Sequence, residues 1–137
     1  MNFEAVIGLE IHVEMKTKTK MFSSAPVTYG ELPNTSTTPV CLAFPGTLPT
    51  VNKQAVINAI RVSNALHMSI DRTLYFDRKN YFYSDLPKGF QITQNDRPIG
   101  FDGYMDIETS LGNKRIGIER LHLEEDTVVI LEGLHAL

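Results

Sequence analysis

The sequence predicts an α+β domain, β-dominated and mostly antiparallel, with one amphipathic helix over about residues 52–68. Three observations carry this: alternating apolar and polar runs near both ends of the chain, one central stretch with 3–4 spacing of apolar residues, and turn signals suited to a meander. The chain has 137 residues, 42% of them hydrophobic and 21% charged, which suits one soluble domain with a modest core and excludes a disordered chain.

The first element is VIGLEIHVE, from Val6 to Glu14. From Gly8 onward it alternates strictly, placing Leu9, Ile11 and Val13 on one face and Glu10, His12 and Glu14 on the other. This predicts a strand with one buried side. From Lys16 to Pro49 five prolines, two glycines and many Ser and Thr residues break any long element, so loops with short edge strands are expected. Asn52 suits a helix N-cap, and Ala55, Val56, Ala59, Ile60, Ser63 and Leu66 follow as an inner helical stripe.

After the helix, TLYF reads as a short β-like run, and RKNYFYSDLPKGFQITQ reads as a hairpin or loop. Asp102-Gly103 and Gly112-Asn113 are turn signals on either side of YMDIETS, whose alternation suggests a meander. The last clear strand is KRIGIERLHLEED, in which Ile116, Ile118, Arg120, His122 and Glu124 share a face and Glu125 points to the other.

Several function classes are excluded or left unsupported. A net charge of −3 offers no global attraction for nucleic acid, so such contact would need a local patch. The first ten residues lack a cationic leader, and no run approaches the ~18 apolar residues of a membrane span. Cys41 is the single cysteine, which excludes an internal disulfide. A cytoplasmic setting is expected.

Two histidine–carboxylate constellations carry the chemistry. Glu10-x-His12 puts a carboxylate and an imidazole side by side on a strand, about 7 Å apart along it. His122-x-Glu124-Glu125 repeats that spacing near the other end of the chain, so four or five metal-competent groups converge if the two strands meet. Carboxylates suit Mg²⁺ or Mn²⁺, the ions that bridge nucleotide phosphates. The competing reading is two solvated polar faces. Between Asp77 and Gln94, Arg78, Lys79 and Lys88 supply cationic charge and Tyr81, Phe82, Tyr83 and Phe90 supply π faces, a mixture that can hold a phosphate and stack on a base. The competing reading there is an edge hairpin with ordinary aromatic packing. No glycine-rich phosphate loop is present.

The strings FEAVIGLEIHVE, KTKMFS, LAFPGTLPTVNKQAV, FDRKNYFYSDLPKGFQITQ and IGIERLHLEED resemble, in register, the B subunit of the tRNA-dependent amidotransferases, the GatB family. The resemblance implies a cradle-shaped α+β catalytic domain. It implies one component of a ligase, using ATP and Mg²⁺ (or Mn²⁺) to phosphorylate the side-chain carboxylate of misacylated Glu-tRNA(Gln) or Asp-tRNA(Asn). Amidation would follow with ammonia from the glutaminase, or A, subunit; the small C subunit is the further partner implied. By position the resemblance implies Glu10, His12, Glu124 and Glu125 as catalytic residues and, with His122, as metal ligands. Lys79, Tyr81, Asp85, Lys88 and Gln91 fall on its RKNYFY-DLPKG-Q motif and are expected to bind the nucleotide or the acceptor end.

The sequence departs from the family in two places. Ser23, Ala25, Thr38 and Cys41 occupy positions where some members carry two cysteine pairs, so no zinc is expected. The resemblance ends at Asp126, which divides the chain into a partial catalytic domain over 1–126 and a divergent tail over 127–137. The alternative reading is therefore a non-catalytic fragment that keeps the fold and some metal, nucleotide or partner binding, with exposed sheet edges that favour self-association.

Overall fold

The computed structural model describes residue 3, residues 6–125 and residues 128–136. Among these, the chain forms strands β1 (Val6–Glu14), β2 (Ser69–Ile70), β3 (Asp77–Asn80), β4 (Phe90–Thr93), β5 (Gly100–Thr109), β6 (Gly112–Glu124) and β7 (Val128–Ala136), and one helix, α1 (Lys53–Ala65). Five strands make an antiparallel sheet in the order β1-β7-β6-β5-β2, and β3 and β4 make a separate hairpin. The fold is α+β with mostly antiparallel strands, as the sequence predicts. The end of the last predicted strand at Asp126, and the boundary between 126 and 127, lie outside the described residues.

The helix begins where the sequence placed its cap. Asn52 Oδ1 accepts from the backbone N–H groups of Gln54 at 2.9 Å and Ala55 at 3.2 Å, satisfying donors that the first turn leaves open. The same side chain reaches the preceding loop, its Nδ2 donating to Thr19 O at 3.0 Å and to Thr19 Oγ1 at 2.9 Å. Asn52→Ala is expected to cost about 1–2 kcal/mol, read as a lower urea midpoint. Asn52→Asp keeps the cap but loses both donors, and should fall between the two.

Ala55, Ala59 and Ser63, four residues apart, are fully buried and let α1 approach the sheet closely. β5 answers with Gly103, where an added Cβ would stand 2.4 Å from Met68 Cγ and 2.8 Å from Leu66 O. That close approach allows Tyr104 N to donate to Leu66 O at 2.8 Å. The core between helix, sheet and the loop after β1 is built from Met15, Met21, Phe22, Ala55, Ala59, Met68, Ile99, Leu121 and Leu123.

Four expectations are corrected. The apolar face of β1 is not buried: Leu9 is 54% exposed and Ile11 52%, because α1 packs on β5 and β6 and stops short of β1. Asp102-Gly103 is no turn but lies inside β5, with Asp102 at φ 54. TLYF is not a strand; extended pairing starts at Asp77, and the unforeseen β2 lies before it. The helix ends at Ala65, with Leu66 as its C-cap and His67 at φ 56. The Gly112 signal holds, since a two-residue connection over Ser110 and Leu111 joins β5 to β6, with Gly112 at φ 109.

Candidate functional site

The alternation of β6 sends Leu121 and Leu123 into the core and Arg120, His122 and Glu124 to the opposite face. β1 and β6 do not pair directly. β7 runs between them, so that Glu10 aligns with Arg120, His12 with His122 and Glu14 with Glu124 across two strand spacings. Two spacings amount to roughly 10 Å. The two constellations thus share one face of the sheet without sharing an edge.

The β3–β4 hairpin roofs this face. Gln94, fully buried, accepts from Leu123 N at 3.1 Å through Oε1 and donates through Nε2 to Tyr75 O at 3.0 Å. Arg120 donates to the carbonyls of Gln94 at 2.7 Å and Asn95 at 2.6 Å. Asp77 accepts from the backbone N–H groups of Asn95 at 3.0 Å and Asp96 at 3.1 Å, which fixes the chain leaving β4. Between hairpin and sheet lies an open cleft of about 540 Å³, lined in part by Glu10, Arg78, Lys79, Arg120, His122 and Glu124. Both faces of the end of β6 are therefore covered, which accounts for the unbroken burial from Leu121 to Glu124.

The cleft brings together some of the sequence candidates and separates others. Lys79, on β3, donates to Glu124 Oε1 at 3.0 Å; the lysine is half exposed and the carboxylate almost wholly buried. Glu10 and His12 stay paired to each other on β1, Nε2 to Oε1 at 2.7 Å. Gln91 lies opposite Lys79 in the hairpin, and the Tyr81 ring stands 5.7 Å from the Lys79 ammonium and packs edge-on against Tyr83. Glu125 turns away: its carboxylate pairs with Lys88 and accepts from Ile92 N at 3.0 Å, while its own N–H donates to Ile92 O at 2.8 Å. Lys88 and Glu125 line a second cleft of about 460 Å³, and Asp85 is exposed beside a third.

Burial pushes the His122 imidazole down from 6.5 to about 4, with the Arg120 charge adding to the effect; Glu124 and Glu10 oppose it and do not compensate. The ring is neutral near pH 7, and its Nδ1 is buried without a hydrogen-bond partner. Among the described residues no three His, Cys, Asp or Glu side chains stand close enough to hold a metal ion, so these donors do not by themselves fit a protein-caged metal. Around Cys41, Ser23 Oγ stands 3.2 Å and Thr38 Oγ1 3.5 Å from the thiol. Partial burial raises the thiol's pKa, but these hydrogen bonds and the charge of Lys20 outweigh it and the net direction is down.

Arg120 and Gln94 hold the hairpin to β6, yet sequence reasoning gave neither a role. Arg120 sits in the same i, i+2 series as His122 and Glu124, so its place on that face was readable; Gln94 closes the FDRKNYFYSDLPKGFQITQ string, and nothing in that string marks it as a clamp.

A family model described as the GatB/GatE catalytic domain matches residues 5–134. Among curated proteins, the chain is 60% identical over 126 residues to the B subunit of the aspartyl/glutamyl-tRNA(Asn/Gln) amidotransferase of Mycoplasmopsis agalactiae, covering 92% of this chain and 27% of that protein. It is 61% identical over 127 residues to the B subunit from Mycoplasma capricolum, and 56% over 126 residues to that of Lacticaseibacillus casei, covering 92% of this chain and 26% of each relative. The chain spans about a quarter of the length of these relatives.

Proposed function

The chain belongs to the GatB/GatE catalytic-domain family, and from that premise we propose that it carries the fold and the phosphate-binding cleft of a carboxylate-activating centre, binding nucleotide without completing the reaction alone. The observation that carries this reading is the Lys79–Glu124 pair at the wall of the cleft, with Arg78 and Arg120 beside it. An ammonium tied to a buried carboxylate is held in one place at the mouth of an open cleft. It is then ready to donate to a phosphate oxygen without first being ordered.

Mg²⁺ is bound through one or two carboxylates and substrate phosphates rather than a full protein cage, and Glu10 and Glu124 are carboxylates of that kind on the cleft wall. An ion there would neutralise charge on the phosphates. His122, neutral at pH 7 and shielded by the hairpin, adds no cation to the cleft and offers a lone pair. Lys88 and Glu125 act on the other side of the hairpin, holding its position. For the larger protein we propose ATP-dependent activation of the acyl carboxylate of misacylated tRNA, in keeping with the amidotransferase names of its relatives, and the A and C subunits as its partners. The chemistry requires activation, because a carboxylate accepts an amine only once an oxygen has become a leaving group.

The test is calorimetric titration of the 137-residue chain with Mg-ATP and with Mg-triphosphate. Binding of both is expected, weakened about tenfold or more by Lys79→Ala as a charge-assisted hydrogen bond is lost. No phosphate should be released from ATP. Absence of binding to the folded chain, or affinity indifferent to Lys79→Ala, would overturn the cleft assignment; ATP turnover by the chain alone would overturn the division between binding and reaction.

A further inference from the structure

The nine-residue strand β1 ends the sheet, and among the described residues nothing pairs with its outer edge. Edge strands are normally blunted by proline, by lysine or by a charge on the inward face. VIGLEIHVE has no proline and no lysine, and its inward face carries Ile7, Leu9, Ile11 and Val13, between 43% and 54% exposed. On the same face of β6, Leu121 and Leu123 are fully buried. The apolar half-face and the open edge therefore coincide on one strand.

We propose that this edge pairs antiparallel with β1 of a second copy of the chain, about a two-fold axis perpendicular to the sheet through Ile11. Such an axis keeps each face on its own side, so facing residues have the same parity and only alternate registers are open. Centring on Glu10 sets carboxylate against carboxylate. Centring on His12 sets Glu10 against Glu14 of the partner. Centring on Ile11 sets Ile11 against itself, Leu9 against Val13, and Glu10 against His12, twice by symmetry. That register alone among the three joins apolar to apolar and carboxylate to imidazole.

The side chains are free to make the exchange. Glu10 and His12 are each about half exposed and already hydrogen bonded within the strand, so pairing across the axis transfers that contact between copies. Directly opposed side chains lie about 5 Å apart, within reach of both groups. The apolar strips of the two copies would adjoin. The partner's imidazole would stand against Glu10, a wall residue of the 540 Å³ cleft, so each copy would contribute to the other's site. This holds whether or not the cleft takes a nucleotide.

Sedimentation equilibrium of the 137-residue chain over a wide concentration range tests it. A monomer–dimer equilibrium is expected. His12→Glu sets two carboxylate pairs in opposition and should weaken the dimer about tenfold or more, while Glu10→His with His12→Glu reverses each pair and should restore it. Backbone amide exchange over residues 7–13 of the unaltered chain should slow as concentration rises, a reading that survives if a variant fails to fold. A chain monomeric throughout, a dimer indifferent to His12→Glu, assemblies larger than two, or exchange independent of concentration would overturn the proposal.

Discussion

Replacing Lys88 by methionine is expected to destabilise the chain by about 3 kcal/mol, more than any surface substitution should. The Lys88 side chain is 5% exposed and its partner Glu125 16%, so neither has much water to fall back on. Methionine fills most of the volume and keeps contact with the Phe90 ring, over which the ammonium lies at 5.1 Å. What it removes is the countercharge, leaving the Glu125 carboxylate to the Ile92 N–H at 3.0 Å. The cost is that of an uncompensated buried charge rather than of a lost attraction. Adding Glu125→Gln to the Lys88→Met background should therefore recover part of the loss, since a neutral amide needs no countercharge. Urea midpoints with unchanged slopes give the three values. A cost below about 1 kcal/mol for Lys88→Met would mean that water screens the pair. Because Glu125 donates its backbone N–H to Ile92 O and accepts the Ile92 N–H through its carboxylate, the loosened hairpin should carry Lys79 with it and weaken the phosphate binding proposed for the cleft in parallel.

The range over which each feature is determined explains which of them were legible in the sequence. The helix was readable because its stripe and cap are local: Asn52, Ala55, Ala59 and Ser63 sit within a dozen residues and their spacing alone fixes their face. The β5–β6 hairpin was readable from Gly112, whose positive φ suits glycine. The same reasoning failed at Asp102, because an Asp-Gly pair signals permission for a left-handed residue and not a change of direction. It failed at β1, where alternation reports which side chains share a face and cannot report whether another element covers it. The candidate site was legible as two strand faces and a basic hairpin. How they assemble was not, since the insertion of β7 between β1 and β6 and the turn of Glu125 toward Lys88 are settled by pairing between distant segments. The coverage of β6 on both faces, which buries His122 and Glu124, depends on the Gln94 and Arg120 clamps and leaves no mark in the alternation of β6.

Acidification from pH 6.5 toward 4 is expected to weaken the fold, with His122 as the cause. In the unfolded chain its imidazole takes up a proton near 6.5; in the folded chain burial, then the Arg120 charge, lowers that value to about 4. Between these values the unfolded state binds more protons, so stability rises with pH and is lost as pH falls. Above 6.5 and below 4 this group contributes no slope. The whole displacement is worth on the order of 3 kcal/mol, of which about 2 kcal/mol should be lost between pH 7.5 and 5. The carboxylates of Asp71 and Asp106 act in a different window. Asp71 is held below its usual value by a backbone hydrogen bond from Thr73 and by Arg97, and Asp106 by Arg115, so their stabilisation is present above the ordinary carboxylate range and lost only at lower pH. His122→Gln should flatten the dependence between pH 5 and 7.5. It replaces a neutral, buried ring whose Nδ1 lacks a partner by a side chain that does not titrate, so little else changes in that interval. The measurement is the urea midpoint of both proteins at the two pH values. Groups common to both cancel in the difference, and a variant with the full slope of the parent would assign the acid sensitivity elsewhere.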